Sequence, residues 1–407
     1  MVWNKTPFQP EGFGAVIWLR TKGRSAPLKL GRKAKIGLVL LAAVGGTVGY
    51  LTYRETLPKI DGLGSRVSIQ VLEEVEGVAN LVSRNGTFAS IATTQLGPAY
   101  LVDRTGRLVK FKGSWDALYS SIVFISDAGI ARGVRIVNDG AQTFEMGIDG
   151  KVRDLGAMNF AIRAGTPNGR VLIGEDIRYP RAPVIVRDGI ASKYVSPPEV
   201  TGDIVLEEIS ADGGTILARA GPVKTPYTTV IQGGRTRLIR PAIDAIPNAL
   251  SRNGHYAVVQ SSGDLYLVRP TGIRRLGGIA IQPRNWWTDF VEKIEKIRGA
   301  KALSTPSVLE SPEALYVSDD GRSVLAQRLI HLTSPSIKES RERESVFAWS
   351  DSSGWVTLAE EIQKRGGRFP AGWSLGGINA VSDDGQTMVG YAVNGKRQAP
   401  LILRFSD

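Results

Sequence analysis

The chain has 407 residues, 42% of them hydrophobic and 22% charged, a balance that suits one large folded domain with additions and excludes wholesale disorder or a collagen-like repeat. It contains no cysteine, which rules out disulfides, thiolate metal sites, iron–sulfur clusters and a cysteine nucleophile, and only two histidines, His255 and His331. The net charge of +12 is concentrated in residues 1–35, which hold eight basic residues against Glu11 alone, so the remaining body carries only +5 and implies no nucleic-acid partner.

Residues 1–35 read as a basic tail. Ile36 to Tyr53 follows as eighteen uncharged residues, and at about 1.5 Å per residue such a helix spans roughly 27 Å, close to the hydrocarbon thickness of a bilayer. Tyr50 and Tyr53 sit at its far end, where aromatic rings favour the interface, and the basic cluster before it belongs on the cytoplasmic side. The pattern predicts a single N-terminal transmembrane helix over 36–53 in a bacterial inner membrane, with the N-terminus cytoplasmic and the body periplasmic. A cleaved signal peptide is the competing reading, but its charged region would be 35 residues long and no good small-x-small site precedes Arg54. Gly45 and Gly49 form a GxxxG step, a candidate helix-packing face for a homodimer, although glycine is common in membrane helices generally. Residues 54–64 read as a stalk.

The body, 65–407, is organised by a repeat. A turn of the form Ser-x-Asp/Asn-Gly, followed by an apolar run, begins at Ser83, Ser210, Ser251, Ser318 and Ser382, with degenerate copies at Ser126 and Thr166. The seven starts lie 43, 40, 44, 41, 67 and 64 residues apart. Asp-Gly and Asn-Gly supply the positive φ values of a two-residue hairpin turn, and the hydroxyl satisfies a nearby backbone group. Each unit offers further strand pairs, among them YTTVI with RTRLI, DLYLV with IRRLG and VFAWS with WVTLA. About four short strands per unit is the signature of a β-propeller blade. The expected fold is therefore all-β, a seven-bladed β-propeller preceded by the membrane helix. The last unit shows three strands, and Arg66 to Glu73 is an orphan strand after the stalk. It is expected to complete the seventh blade and close the ring, leaving no open edge at the seam.

Two long intervals mark insertions, near 283–308 and 334–376. In the first, RNWWTDFVEKIEKIRGA from Arg284 has an amphipathic helical pattern. It packs on the rim, or presents Trp286, Trp287 and Phe290 to a partner. In the second, SPSIKESRERES is a charge-dense loop, and the Gly-rich stretch from Gly366 carries Trp373, a candidate partner-binding aromatic or part of an irregular plug.

The final segment, GINAVSDDGQTMVGYAVNGKRQAPLILR, and the unit YVSDDGRSVLAQ with VFAWSDSSGWVTL resemble the HAF-type repeats of bacterial extracellular proteins. The resemblance covers parts of 316–404 and implies an envelope-exposed β-propeller. It brings no catalytic residues.

Motifs for chemistry are sparse. GYAVNGKR from Gly390 approaches a phosphate loop, but Arg397 replaces the required Ser or Thr and Asn-Gly falls between strands, so it reads as a hairpin. The turn lacks the extra residue and aromatic of a sialidase Asp-box. The SDDG carboxylates lack the spaced oxygens that calcium needs. Asp203, Glu207 and Glu208 read as a solvated strand edge, with the wall of an acid-lined mouth as the alternative. No cofactor or metal site is implied. The expected function is a non-catalytic protein-binding or scaffold subunit of a cell-envelope assembly, with an envelope protein partner. An envelope hydrolase or lyase using carboxylates at the propeller mouth, and a ligand- or glycan-binding receptor, are the alternatives.

Overall fold

A computed structural model describes residues 18–21, 24–27 and 62–407, apart from 94–98, 111–118, 138–139, 157–159, 177–181, 199, 201, 223–225, 234, 240–244, 278–311 and 333–340. The chain divides into two units, 1–57 and 58–407. In the first, Trp18–Thr21 and Arg24–Pro27 pair as an antiparallel hairpin. The expected membrane helix, with Gly45 and Gly49, lies outside the described residues. Among the described residues no helix is long and apolar enough to cross a membrane.

In the second unit each Ser-x-Asp/Asn-Gly turn joins the first two strands of a four-stranded antiparallel sheet, and there are seven such sheets. Their first strands are Gly77–Val82, Tyr119–Ile125, Phe160–Gly165, Ile204–Ile209, Ile246–Leu250, Glu313–Val317 and Ser374–Val381, taken here as blades one to seven. Each first strand touches the first strands of both neighbouring blades, so the ring closes around a central channel. The expected seven-bladed propeller is the observed fold.

Composition grades outward along each blade. The second strand of blade four, Thr215–Ala220 (TILARA), is buried at five of six positions, because neighbouring blades cover both its faces. The fourth strand of blade three, Ile190–Lys193, is exposed throughout, and RTRLI and GIRRLG in blades four and five place charges on the outer edge, where they discourage pairing with other chains.

The seam forms as the sequence predicts. Arg66–Val71 pairs antiparallel with the last strand, Arg397–Ser406, from Arg66↔Ser406 to Val71↔Leu401, completing blade seven. A short helix, α1 (Leu358–Lys364), sits beside it, capped by the Thr357 hydroxyl accepting from the Glu360 backbone N–H. Glu361 is fully buried and paired with Arg365 and Lys364. Arg365 also donates through Nε to the Gly64 carbonyl at 2.8 Å, while the Gln386 side chain accepts from Gly64 N–H and donates to Gly62 O. The chain is thus gripped from two sides where it enters the ring.

The turn geometry differs from the sequence expectation. Only the glycine of each motif takes positive φ, from 65° at Gly321 to 76° at Gly129, and the preceding Asp or Asn does not. Each turn is a four-residue reversal closed by glycine N–H donating to the Ser or Thr carbonyl, as in Gly86 to Ser83 at 2.8 Å. The Ser83 hydroxyl donates to Asn85 Oδ1 and accepts from Phe88 N–H, and the same arrangement recurs at Thr166, Ser210, Ser251, Ser318 and Ser382. Buried hydroxyl, carboxyl or amide, and backbone groups satisfy one another locally. Two-residue turns with two positive φ values occur elsewhere, at Asp188–Gly189 and Ser262–Gly263.

Candidate functional site at the ring mouth

One irregularity repeats in every blade. Three residues before the turn Ser or Thr the first strand slips register, skipping Asn80, Val123, Arg163, Glu207, Asn248, Leu315 and Asn379. A bulge at a fixed place re-aims the residues that follow. Two positions of the repeat then contribute to one end of the channel: the residue two before the turn Ser, as Glu208, Ala249 and Tyr316, and the unspecified residue just after it, as Arg84, Arg252 and Asp383. In blade order the second set reads Arg84, Asp127, Pro167, Ala211, Arg252, Asp319 and Asp383.

Hydrogen bonds stitch these turns together at five of the seven blade junctions. Asp127 accepts from Asn85 N–H at 2.9 Å and Asp319 from Asn253 N–H at 2.8 Å, while backbone bonds join Asp127 to Pro167, Ala211 to Arg252 and Asp383 to Arg84. Arg84 does most to shape the centre. From blade one it donates to Asp383 of blade seven at 3.3 Å and reaches across the opening to the Ile209 carbonyl of blade four. Its side chain is only 16% exposed. The space left beside it is a cavity of about 140 Å³ lined by Glu208, Arg252, Tyr316 and Asp383 among others.

The carboxylates feel opposing influences. Burial pushes Asp383 and Asp127 up, against the nearby charges of Arg84 and Arg252. Glu208 is raised furthest, to about 7, chiefly by desolvation, with Arg84 opposing and Asp383 and Glu207 adding repulsion. The same burial raises the Tyr316 phenol, with surrounding aspartates adding to the shift. Glu208 keeps some exposure to the cavity yet is flanked by protein on every side, so its charge is poorly solvated. Asp203 is exposed, as a solvated edge requires, but for Glu208 that expectation is corrected: Ile204–Ile209 is an inner strand with Ile204, Leu206 and Ile209 buried, and Glu208 lines the mouth, the alternative reading. The missed signal was the unspecified residue of the Ser-x-Asp/Asn-Gly turn, which is charged in five of the seven units.

The other candidates fall elsewhere. Trp286, Trp287 and Phe290 lie outside the described residues. Trp373 is 7% exposed within the core shared by Leu358, Ile362 and Phe405, with the Arg397 guanidinium 5.8 Å from its ring centre. GYAVNGKR is a hairpin, closed by Asn394↔Arg397. His255 is exposed and follows a turn glycine. Among the described residues no group of three or more His, Asp or Glu is placed to hold a metal ion.

No protein-family model matches the chain, and no curated protein matches it. Solved structures similar to it include a streptogramin B lyase (TM-score 0.43, 11% identity, covering 83% of this chain and 98% of that one). Virginiamycin B lyase from Staphylococcus aureus is another (0.45, 10%, 84% and 99%), as is TolB from Acinetobacter baumannii (0.36, 12%, 83% and 81%). Identities this low concern the fold alone.

Proposed function

We propose that this chain is a non-catalytic protein-binding or scaffold subunit of a cell-envelope assembly, tethered to the inner membrane through residues 36–53 with its propeller in the periplasm. The observation that supports it best is the closed mouth. Arg84 spans the opening and its charge is engaged on both sides, leaving a cavity of about 140 Å³, smaller than the roughly 300 Å³ at which small-molecule pockets begin. Recognition then falls to the outer surfaces of a rigid ring. The test is affinity purification of the full-length protein from mild detergent. Stoichiometric envelope proteins that persist through a salt wash are expected, whereas a clean monomer or dimer overturns the proposal. Alkaline phosphatase fused after Asp407 is expected to be active, and an inactive fusion of full length overturns the topology.

Glu208 favours a second reading, a hydrolase or lyase. A carboxyl with a pKa of about 7 beside an arginine suits general acid–base chemistry. It requires Arg84 to swing aside for substrate. Turnover of an envelope polymer that is lost in Glu208→Gln, with folding intact, would establish it.

A further inference from the structure

Blade five has a neighbour on each side, and the two junctions are filled differently. At the junction with blade six, Trp349 stands on the third strand opposite Val324, six residues after the turn Ser318. At the junction with blade four, the residue opposite the equivalent Ala257 is Val268. The residue two further on is Asp351 in blade six and Pro270 in blade five. The same repeat position therefore holds a large aromatic in one case and a small side chain in the other. Between blades four and five this leaves a groove of about 460 Å³, walled by Val230, Leu250, Tyr256 and Val268.

The rim of that groove is basic. On the fourth strand of blade four, Arg235, Arg237 and Ile239 alternate onto one face, and Ile239, 1% exposed, packs with Val268 and Leu217 towards blade five. The two arginines continue the same face outward beside the opening, and both are exposed. Arg237 donates to the Arg269 carbonyl at 3.3 Å, and neither arginine meets a carboxylate among the described residues. In blade five the position matching Arg237 is Arg274, which is paired with Asp351 and lies 5.1 Å from the Trp349 ring centre. The groove thus lacks two things that the neighbouring junction supplies from within the chain: an apolar side chain and an acid.

We propose that the groove between blades four and five docks an extended acidic segment of a partner protein, which inserts an apolar side chain against Val230 and Val268 and sets carboxylates on Arg235 and Arg237. The partner supplies in trans what Trp349 and Asp351 supply in cis. Charge-assisted pairing to arginine gives direction, and the apolar insertion gives the desolvated anchor that interfaces rely on. The proposal rests on the protein-binding function above and names the chemistry of its partner.

The probe is a fluorescein-labelled dodecapeptide alternating Asp or Glu with Leu and Phe, titrated against the full-length protein by anisotropy. Saturable binding is expected, weakened about tenfold or more by the double substitution Arg235→Glu with Arg237→Glu, and similarly by Val268→Trp, which fills the groove from within. A thermal melt on each variant checks folding. Equal binding of a Lys-for-acid peptide, or of oligo-glutamate without apolar residues, overturns the proposal, as does no binding at about 1 mM. So does binding untouched by both variants. The same variants in the detergent purification separate the two levels. Envelope proteins retained by Val268→Trp and by the arginine double variant sink the groove but leave the binding function standing, whereas a wild-type chain without partners sinks both.

Discussion

The two flanks of blade five show how one repeat produces a sealed junction and an open one. Towards blade six, Leu265, Leu267, Leu276, Phe347 and Trp349 share a core, and Trp355 Nε1 donates to the Leu276 carbonyl at 3.1 Å. Towards blade four, the buried set is Leu217, Ile239, Ala257, Val259 and Val268, with the groove above it. The backbone is the same on both sides: both blades have the bulged first strand, the same turn and the same antiparallel order. Side-chain volume at one repeat position decides whether the wedge between blades is filled. A propeller tolerates this because its ring is closed by other contacts, above all the seam at Arg66–Val71.

If that account is right, the largest effect comes from emptying the sealed side. Trp349 is 5% exposed, and Trp349→Ala is expected to cost about 3–5 kcal/mol in a urea unfolding curve, the usual penalty for removing a buried aromatic. A cost below about 1 kcal/mol would mean the wedge is not held by this ring, and the contrast between the two flanks would lose its basis.

Next is the turn that locks blade six onto blade five. Gly321 has φ +65°, and a Cβ there would stand 2.3 Å from the Tyr256 ring. Gly321→Ala combines left-handed strain with a clash against a packed aromatic, for an expected loss of about 2–3 kcal/mol. The matching glycine at the junction of blades four and five, Gly254, meets Thr215 instead. A comparable loss is expected for Gly254→Ala, because a Cβ there stands 2.7 Å from the buried Thr215 Cβ, which no change of rotamer moves. A loss much below that of Gly321→Ala would show that the turn on the open side yields more easily.

Much of this was legible in the sequence, and the reasons are local. The Ser-x-Asp/Asn-Gly column recurs because hydroxyl, carboxyl and glycine each answer a backbone demand of the same turn, so counting it counts blades. Ring closure followed from an unpaired strand at Arg66 and three strands after Ser374. The helix α1 was missed although Thr357 and Glu360 form a capping-box pattern, because β-rich neighbours on both sides favoured a strand. The turn was assigned two positive φ values when it needs one, since Asp-Gly alone does not distinguish a two-residue hairpin from a longer reversal. The mouth was hidden because its charges sit in the variable column of the repeat, and Glu208 becomes an inner residue only once the bulge at Glu207 is known. The groove required cross-strand register, without which Val268 and Trp349 do not align.

The inner ends of both junctions meet at the mouth, where Glu208, Ala249 and Tyr316 line the same cavity. Glu208 has its pKa raised from 4.5 to about 7. Between those values the folded state binds more protons than the unfolded chain, so its contribution to stability falls as pH rises through that window. Glu208→Gln removes the penalty. The variant is expected to gain about 2 kcal/mol over wild type at pH 8 and little at pH 5, read from unfolding midpoints at the two values. Asp127, also raised by burial, keeps its own pH dependence in both proteins and cancels in the comparison, whereas Asp383, which repels Glu208, loses that repulsion in the variant and ionises more readily. A gain independent of pH would mean that Glu208 titrates alike in the folded and unfolded chains, and that water reaches the cavity more freely than its lining suggests.

The smallest expected effects test the two arginines that the repeat places at one position. Arg274 is 44% exposed and Asp351 41% exposed, so their pair is screened, and with the stacking on Trp349 it contributes about 1 kcal/mol. Arg237 has a single bond to a backbone carbonyl and is expected to contribute less than about 0.5 kcal/mol, the range of surface substitutions away from special features. Arg274→Ala should therefore lower the unfolding midpoint detectably and Arg237→Ala should not. Giving Arg237 its acid by Pro270→Asp tests the other side of the same difference. If the partner's carboxylates dock on Arg237, an internal aspartate competes with them, so binding of the acidic peptide weakens while stability stays level or rises. Unchanged binding in Pro270→Asp would remove Arg237 from the docking surface and leave its charge as edge protection alone.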